Sequence, residues 1–132
     1  MLTAADDIEA GAGGTEANPL TNNRVLDKWE VQACRSRTID FNNSIKASAA
    51  EFGYPVVDMY DFLDRIKPGI MLEGIGISPE YIGGGAFSLD GVHLNPRGYA
   101  IAANEFIKVI NEAYGSNIPL ASIGSYRGVV FP

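Results

Sequence analysis

A chain of 132 residues with ten Lys and Arg against sixteen Asp and Glu has the size of one ordinary domain and a formal net charge of −6. Its long-range field repels polyanions, which argues against nucleic acid and anionic lipid surfaces as partners. Apolar residues at 46% and charged residues at 20% fit a folded chain with a core, and one cysteine beside one histidine excludes an internal disulfide and a structural zinc set.

Residues 1–23, "MLTAADDIEAGAGGTEANPLTNN", are rich in Gly, Ala, Asp and Asn and show no strand or helix periodicity, so they read as a loop-like lead-in continued from something upstream. They carry no basic start and no apolar run of signal-peptide length, and nothing later reaches the length of a membrane span. Asp27 and Glu30 then have the spacing of a capping box, which starts a helix at Lys28. Val31, Cys34, Thr38, Phe41, Ile45, Ala49 and Phe52 recur at three and four, predicting a helix to about Phe52 with that stripe buried and Gly53 as its stop. Cys34 falls on the stripe and reads as a small buried hydrophobe.

"YPVVDMY", Tyr54 to Tyr60, has the form of a buried strand in an α/β layer, and "DFLDRIK" that of a brief helix ended by Pro68 and Gly69. Residues 70–86 carry five glycines and a proline and read as a long irregular loop; Gly74 and Gly76 lack the third glycine of a dinucleotide fingerprint. Asn95 as N-cap and Pro96 at the first helical position start a helix that runs to Tyr114 and stops at Gly115. Its predicted apolar face is Ala100, Ala103, Phe106 or Ile107, Ile110 and Tyr114. Residues 116–132 form a tail, mostly coil, in which "GVVFP" suggests a short edge strand. No internal repeat is present.

The chemistry concentrates in "FSLDGVHLNPRGYA", Phe87 to Ala100, which holds the chain's one histidine. Asp90 and His93 flank a flexible glycine, so one turn can bring a carboxylate to an imidazole, the pairing that fixes a tautomer in a hydrolytic triad. The competing account of the same spacing is an Asp and a His that only hydrogen-bond a turn and a cap.

Asp90, His93, Asn95, Pro96, Gly98 and Tyr99, with the amphipathic helix after them, resemble in order the last sequence block of the SGNH hydrolases, the GDSL-type lipases and esterases. The stretch from "RVLDKWE" to "VVDMYDFL" also resembles that family's late helix and strand, so the likeness covers about residues 20 to 115 and is nearest to long, exported bacterial members. It implies an α/β fold, a partial three-layer α/β/α flavodoxin-like sandwich with the early strands missing. Residues 24–115 would be its late helix, strand and helix, and the exposed edge of a shortened parallel sheet would favour a homo-oligomer. It implies further that Asp90 orients His93 and that His93 shuttles a proton for a serine attacking an ester of a lipid or an acylated carbohydrate, without metal or cofactor.

The family's Gly-Asp-Ser, its oxyanion glycine and its Gly-x-Asn-Asp do not occur here, and in the family's order they stand before residue 1. Ser88 is too local to serve, and Ser36, Ser44, Ser48 and Ser78 lack an elbow. The nucleophile is therefore unknown, and the expectation is the C-terminal part of an exported or periplasmic esterase, inactive alone. The alternative is a non-catalytic binding or interaction module that keeps the loop as scaffold.

Overall fold

The computed structural model describes residues 5–80 and 83–129. In chain order the elements are α1 (Ala5–Glu9), α2 (Lys28–Glu51), α3 (Met59–Ile66), β1 (Ile70–Leu72), β2 (Ile75–Ile77), α4 (Pro96–Tyr114) and a 3-10 turn at Ile123–Ser125. Two compact units divide the chain, Met1–Ser48 and Ala49–Pro132. The content is mixed helix and strand, but the two described strands form one antiparallel pair, and the parallel sheet whose edge was to promote association is not among the described residues.

In the first unit, the expected loop contains the short α1, and Arg24 Nε lies 3.1 Å from Asp7 Oδ2. The start of α2 follows from its capping box. Asp27 Oδ1 accepts from Trp29 N at 2.7 Å and Glu30 N at 2.8 Å, while Glu30 Oε2 accepts from Asp27 N at 2.8 Å. Two orphan donors at the helix start and the cap's own N–H are thereby satisfied. The helix ends one residue before the predicted limit, with Gly53 at φ +68. Its stripe is not buried: no residue of α2 is, and Phe41 is 66% exposed. Cys34 is exposed as well, correcting its reading as a buried hydrophobe. Spacing defines which side chains share a face; it does not supply a surface to cover them.

In the second unit, residues 54–58 belong to no strand, where one was expected. The Asp58 side chain accepts from Asp61 N at 2.9 Å, and this cap starts α3 at Met59, so the end of the apolar run is taken into a helix. The predicted loop at 70–86 is instead opened by a hairpin, with Ile70 opposite Ile77 and Leu72 opposite Ile75. Its two-residue turn has positive φ at both positions, Glu73 at +50 and Gly74 at +78, the handedness that matches strand twist. The strained Glu73 is held from far along the chain: its carboxylate accepts from Ser122 Oγ, Ile123 N and Gly124 N, each at 3.1 Å.

Helix α4 has the predicted bounds. Its buried residues are Gly98, Ala100, Ile101 and Asn104, so the expected face is rotated; Ala103, Phe106 and Tyr114 are exposed. Ile101 joins Phe62, Ile66, Ile77, Ala86 and Ile123 in the core. Gly98 must be glycine, because a Cβ there would lie 2.1 Å from the Ala86 carbonyl oxygen. The polar Asn104 is buried because it pairs both ways with the Ala121 backbone, at 2.9 and 2.8 Å, as Asn111 does with Ile118 at the same distances. Seven helical residues advance about 10.5 Å and three extended residues about 10 Å, so the registers match. The tail is thus a strap running back along α4, and Arg97 Nε donates to Tyr126 O at 3.2 Å. The suggested edge strand "GVVFP" lies in part outside the described residues; Gly128 and Val129 are in no strand.

Candidate active site

The segment between β2 and α4 narrows to a closed loop. Phe87 and Leu94 form an isolated antiparallel bridge, Asn95 N donates to Ala86 O at 2.9 Å, and Ser88 N donates to His93 O at 2.8 Å. Within it, Gly91 takes φ +68 and its N–H donates to Ser88 O at 3.1 Å, a turn that folds the chain back so that residues 90 and 93 face each other.

Asp90 Oδ2 lies 2.6 Å from His93 Nδ1. An ionised carboxylate can only accept, so Nδ1 carries the hydrogen and Nε2 of the neutral ring is the basic nitrogen. Asp90 Oδ1 accepts three more hydrogen bonds, from Ser88 Oγ at 2.7 Å and from Val92 N and His93 N at 2.9 Å each. These hold the Asp90 carboxyl far below its ordinary value, the Ser88 hydroxyl contributing most, then the Val92 N–H and the His93 ring. Asp90 is therefore an anion throughout the range in which an imidazole works. Side-chain exposure is 51% for Asp90 and 71% for His93, so neither is held by packing.

Both predicted site residues are thus brought together. Ser88, set aside as a nucleophile for being too local, donates its hydroxyl to Asp90 Oδ1, the carboxylate oxygen other than the one at the ring. A hydroxyl two residues ahead of an aspartate is the signal that could have revealed this holder. Asn95, read as a cap and as part of the family block, also bonds the chain on the far side of the loop. Among the described residues no serine hydroxyl bonds His93: Ser44 Oγ donates to Asp40 O, Ser116 Oγ to Asn111 and Ser122 Oγ to Glu73. An open hollow of about 490 Å³ beside the hairpin, lined by Gly69, Ile70, Gly76 and Ser78 among others, includes neither Asp90 nor His93.

No helix among the described residues is long and apolar enough to cross a membrane, and no group of three or more His, Cys, Asp or Glu gathers as a metal site would. The family model described as GDSL-like Lipase/Acylhydrolase matches residues 8–106. Among curated proteins and among solved structures, none matches the chain.

Proposed function

Since the chain belongs to the GDSL-like lipase/acylhydrolase family, we propose that it supplies the Asp90 and His93 of a Ser-His-Asp triad in a carboxylic-ester hydrolase, the serine lying outside these 132 residues. The observation that carries this is the 2.6 Å contact of Asp90 Oδ2 with His93 Nδ1, which leaves Nε2 as the basic nitrogen of an exposed ring. In the reaction, Nε2 takes the proton as a serine oxygen bonds the ester carbonyl carbon; the imidazolium is stabilised by the Asp90 anion. The intermediate then collapses, the alkoxy oxygen leaves with that proton, and water repeats the cycle on the acyl-serine to release a carboxylic acid. The substrate class is an ester of a lipid or an acylated carbohydrate. No metal or cofactor enters these steps.

The rival is a non-catalytic interaction module, favoured by the lack, among the described residues, of a serine hydroxyl bonded to His93. A fluorophosphonate probe with mass spectrometry, beside a short-chain nitrophenyl ester assay, separates the two. The expected result is no labelled serine and no enzymatic turnover for the 132 residues alone. Turnover should return when a Gly-Asp-Ser segment from a relative is supplied, and be lost again in His93→Ala. Stoichiometric labelling of a serine within this chain would overturn the external nucleophile, and failure of every supplied segment would favour the interaction module.

A further inference from the structure

We infer that Asn95 is a positioning residue for His93, its buried carboxamide tying both ends of the Ser88–His93 loop to the first turn of α4. The inference rests on the reading of Asp90 and His93 given above. With their side chains 51% and 71% exposed, the pair has little packing to fix it, so the loop is ordered by its own hydrogen bonds and by whatever holds its base. Asn95 holds that base. It is 4% exposed, and each of its polar atoms is satisfied. Oδ1 accepts from Gly98 N at 2.9 Å, and Nδ2 donates to Gly85 O at 3.0 Å and to Phe87 O at 3.2 Å. Its backbone N–H donates to Ala86 O at 2.9 Å.

Capping alone does not require this residue. A helix start needs only an acceptor, and Asp or Ser provides one about as well as Asn. What a carboxamide adds is a pair of donors on the same side chain, and both are spent on the chain entering the loop. Phe87 directly precedes Ser88, whose hydroxyl holds Asp90 Oδ1, and Asn95 stands two residues after His93. A single buried amide therefore joins the residue before the loop, the residue after it and the helix, and sets where the ring of His93 is presented. The asparagine is chosen for its donors, and the cap is incidental to that choice.

His93 is the chain's one histidine, so its ring gives one set of imidazole signals in proton and nitrogen NMR. The test compares the unaltered chain with Asn95→Ser, which keeps the cap acceptor and removes the donors. In the unaltered chain a low-field, slowly exchanging Nδ1 proton is expected. In Asn95→Ser that proton and the amides of residues 88–93 should exchange about tenfold faster or more, while far-ultraviolet helicity is kept, since two part-buried hydrogen bonds are lost. Unchanged exchange in a folded Asn95→Ser overturns the inference.

If the variant fails to fold, the unaltered chain decides by its own motion. A loop as mobile in nitrogen relaxation as the chain termini overturns the role of Asn95, whereas a rigid loop with protected Asn95 carboxamide protons supports it. A rigid loop without the low-field Nδ1 proton counts against the Asp90–His93 pairing, and so against the proposed function, while leaving the Asn95 anchor standing.

Discussion

Helices α2 and α4 begin by the same chemistry and end in different surroundings. Asp27 caps α2 and Asn95 caps α4, each through a side-chain oxygen accepting from a backbone N–H in the first turn. Both helices carry apolar residues at three and four. Yet α4 buries Ala100 and Ile101 and is laced to the strap through Asn104 and Asn111, whereas α2 buries nothing. Caps are local and decide where a helix starts; burial is a property of what the rest of the chain brings to its side. Only the helix that gained such partners carries candidate chemistry at its start.

The largest effect expected from this comparison is in the core. Ile101 is 4% exposed and belongs to the cluster with Phe62 and Ile77, so Ile101→Ala should lower unfolding free energy by about 2–5 kcal/mol in urea titration. Gly98→Ala forces a Cβ to within 2.1 Å of Ala86 O and should cost roughly 1–3 kcal/mol or more by overpacking. A loss under about 0.5 kcal/mol for Ile101→Ala would mean that α4 is no better packed than α2.

Next in size is the cap of α2. Asp27→Ala removes the acceptor for two N–H groups and the partner of Glu30, and should cost about 1 kcal/mol, read as lost helicity and a lower midpoint. A helix without buried residues has few tertiary contacts to compensate, so fraying should reach well into α2. Helicity unchanged in Asp27→Ala would show that something other than the capping box holds it.

How much of this was readable in the sequence depends on the range of the interaction. Both long helices were legible to within a residue, because Asp27, Glu30, Asn95, Pro96 and Gly115 act within one turn of themselves. The Asp90–His93 pairing was legible for the same reason: three residues and a glycine close it locally. The hairpin was missed because the glycines at 74 and 76 suggested only irregularity. What makes the first of them a turn is Glu73 at positive φ, held by backbone 50 residues away. The rotated face of α4 was missed because Asn104 counts as polar until Ala121 is known to lie against it. The strand expected at Tyr54 to Tyr60 failed similarly, since a strand is defined by its neighbours.

Acid should separate the local devices of the second unit from its core. Glu73, held below its ordinary value chiefly by the N–H of Ile123 and then of Gly124, and Asp90, held down first by Ser88, are both depressed carboxylates. Such a group contributes stability that is fully present above its unfolded value and is lost as pH falls through the folded one. The strap at Ser122–Gly124 should therefore stay ordered at neutral pH and begin to loosen below about pH 4.5, the ordinary value of Glu73, and the loop at Val92–His93 only below about pH 3.8, that of Asp90. Amide exchange at those residues, followed from about pH 6 down to about pH 2, checks the order. Loosening of the same amides on raising the pH from about 5 to 8 would contradict it.

The smallest expected effect tests the other half of the comparison. Phe41 is 66% exposed on α2, and a side chain already in water loses little burial when it is shortened. Phe41→Ala should therefore change stability by no more than about 0.5 kcal/mol, with alanine's better helix propensity offsetting part of the lost contact. Dilution sharpens this: the value should be the same across protein concentrations, because an exposed face gains or loses nothing from concentration unless another copy covers it. A cost of about 3 kcal/mol, the size of a core phenylalanine deletion, would mean that the stripe Val31, Cys34, Phe41, Ile45 is covered in solution. The periodicity would then have reported a buried face after all, and the difference between α2 and α4 would lie in what covers each.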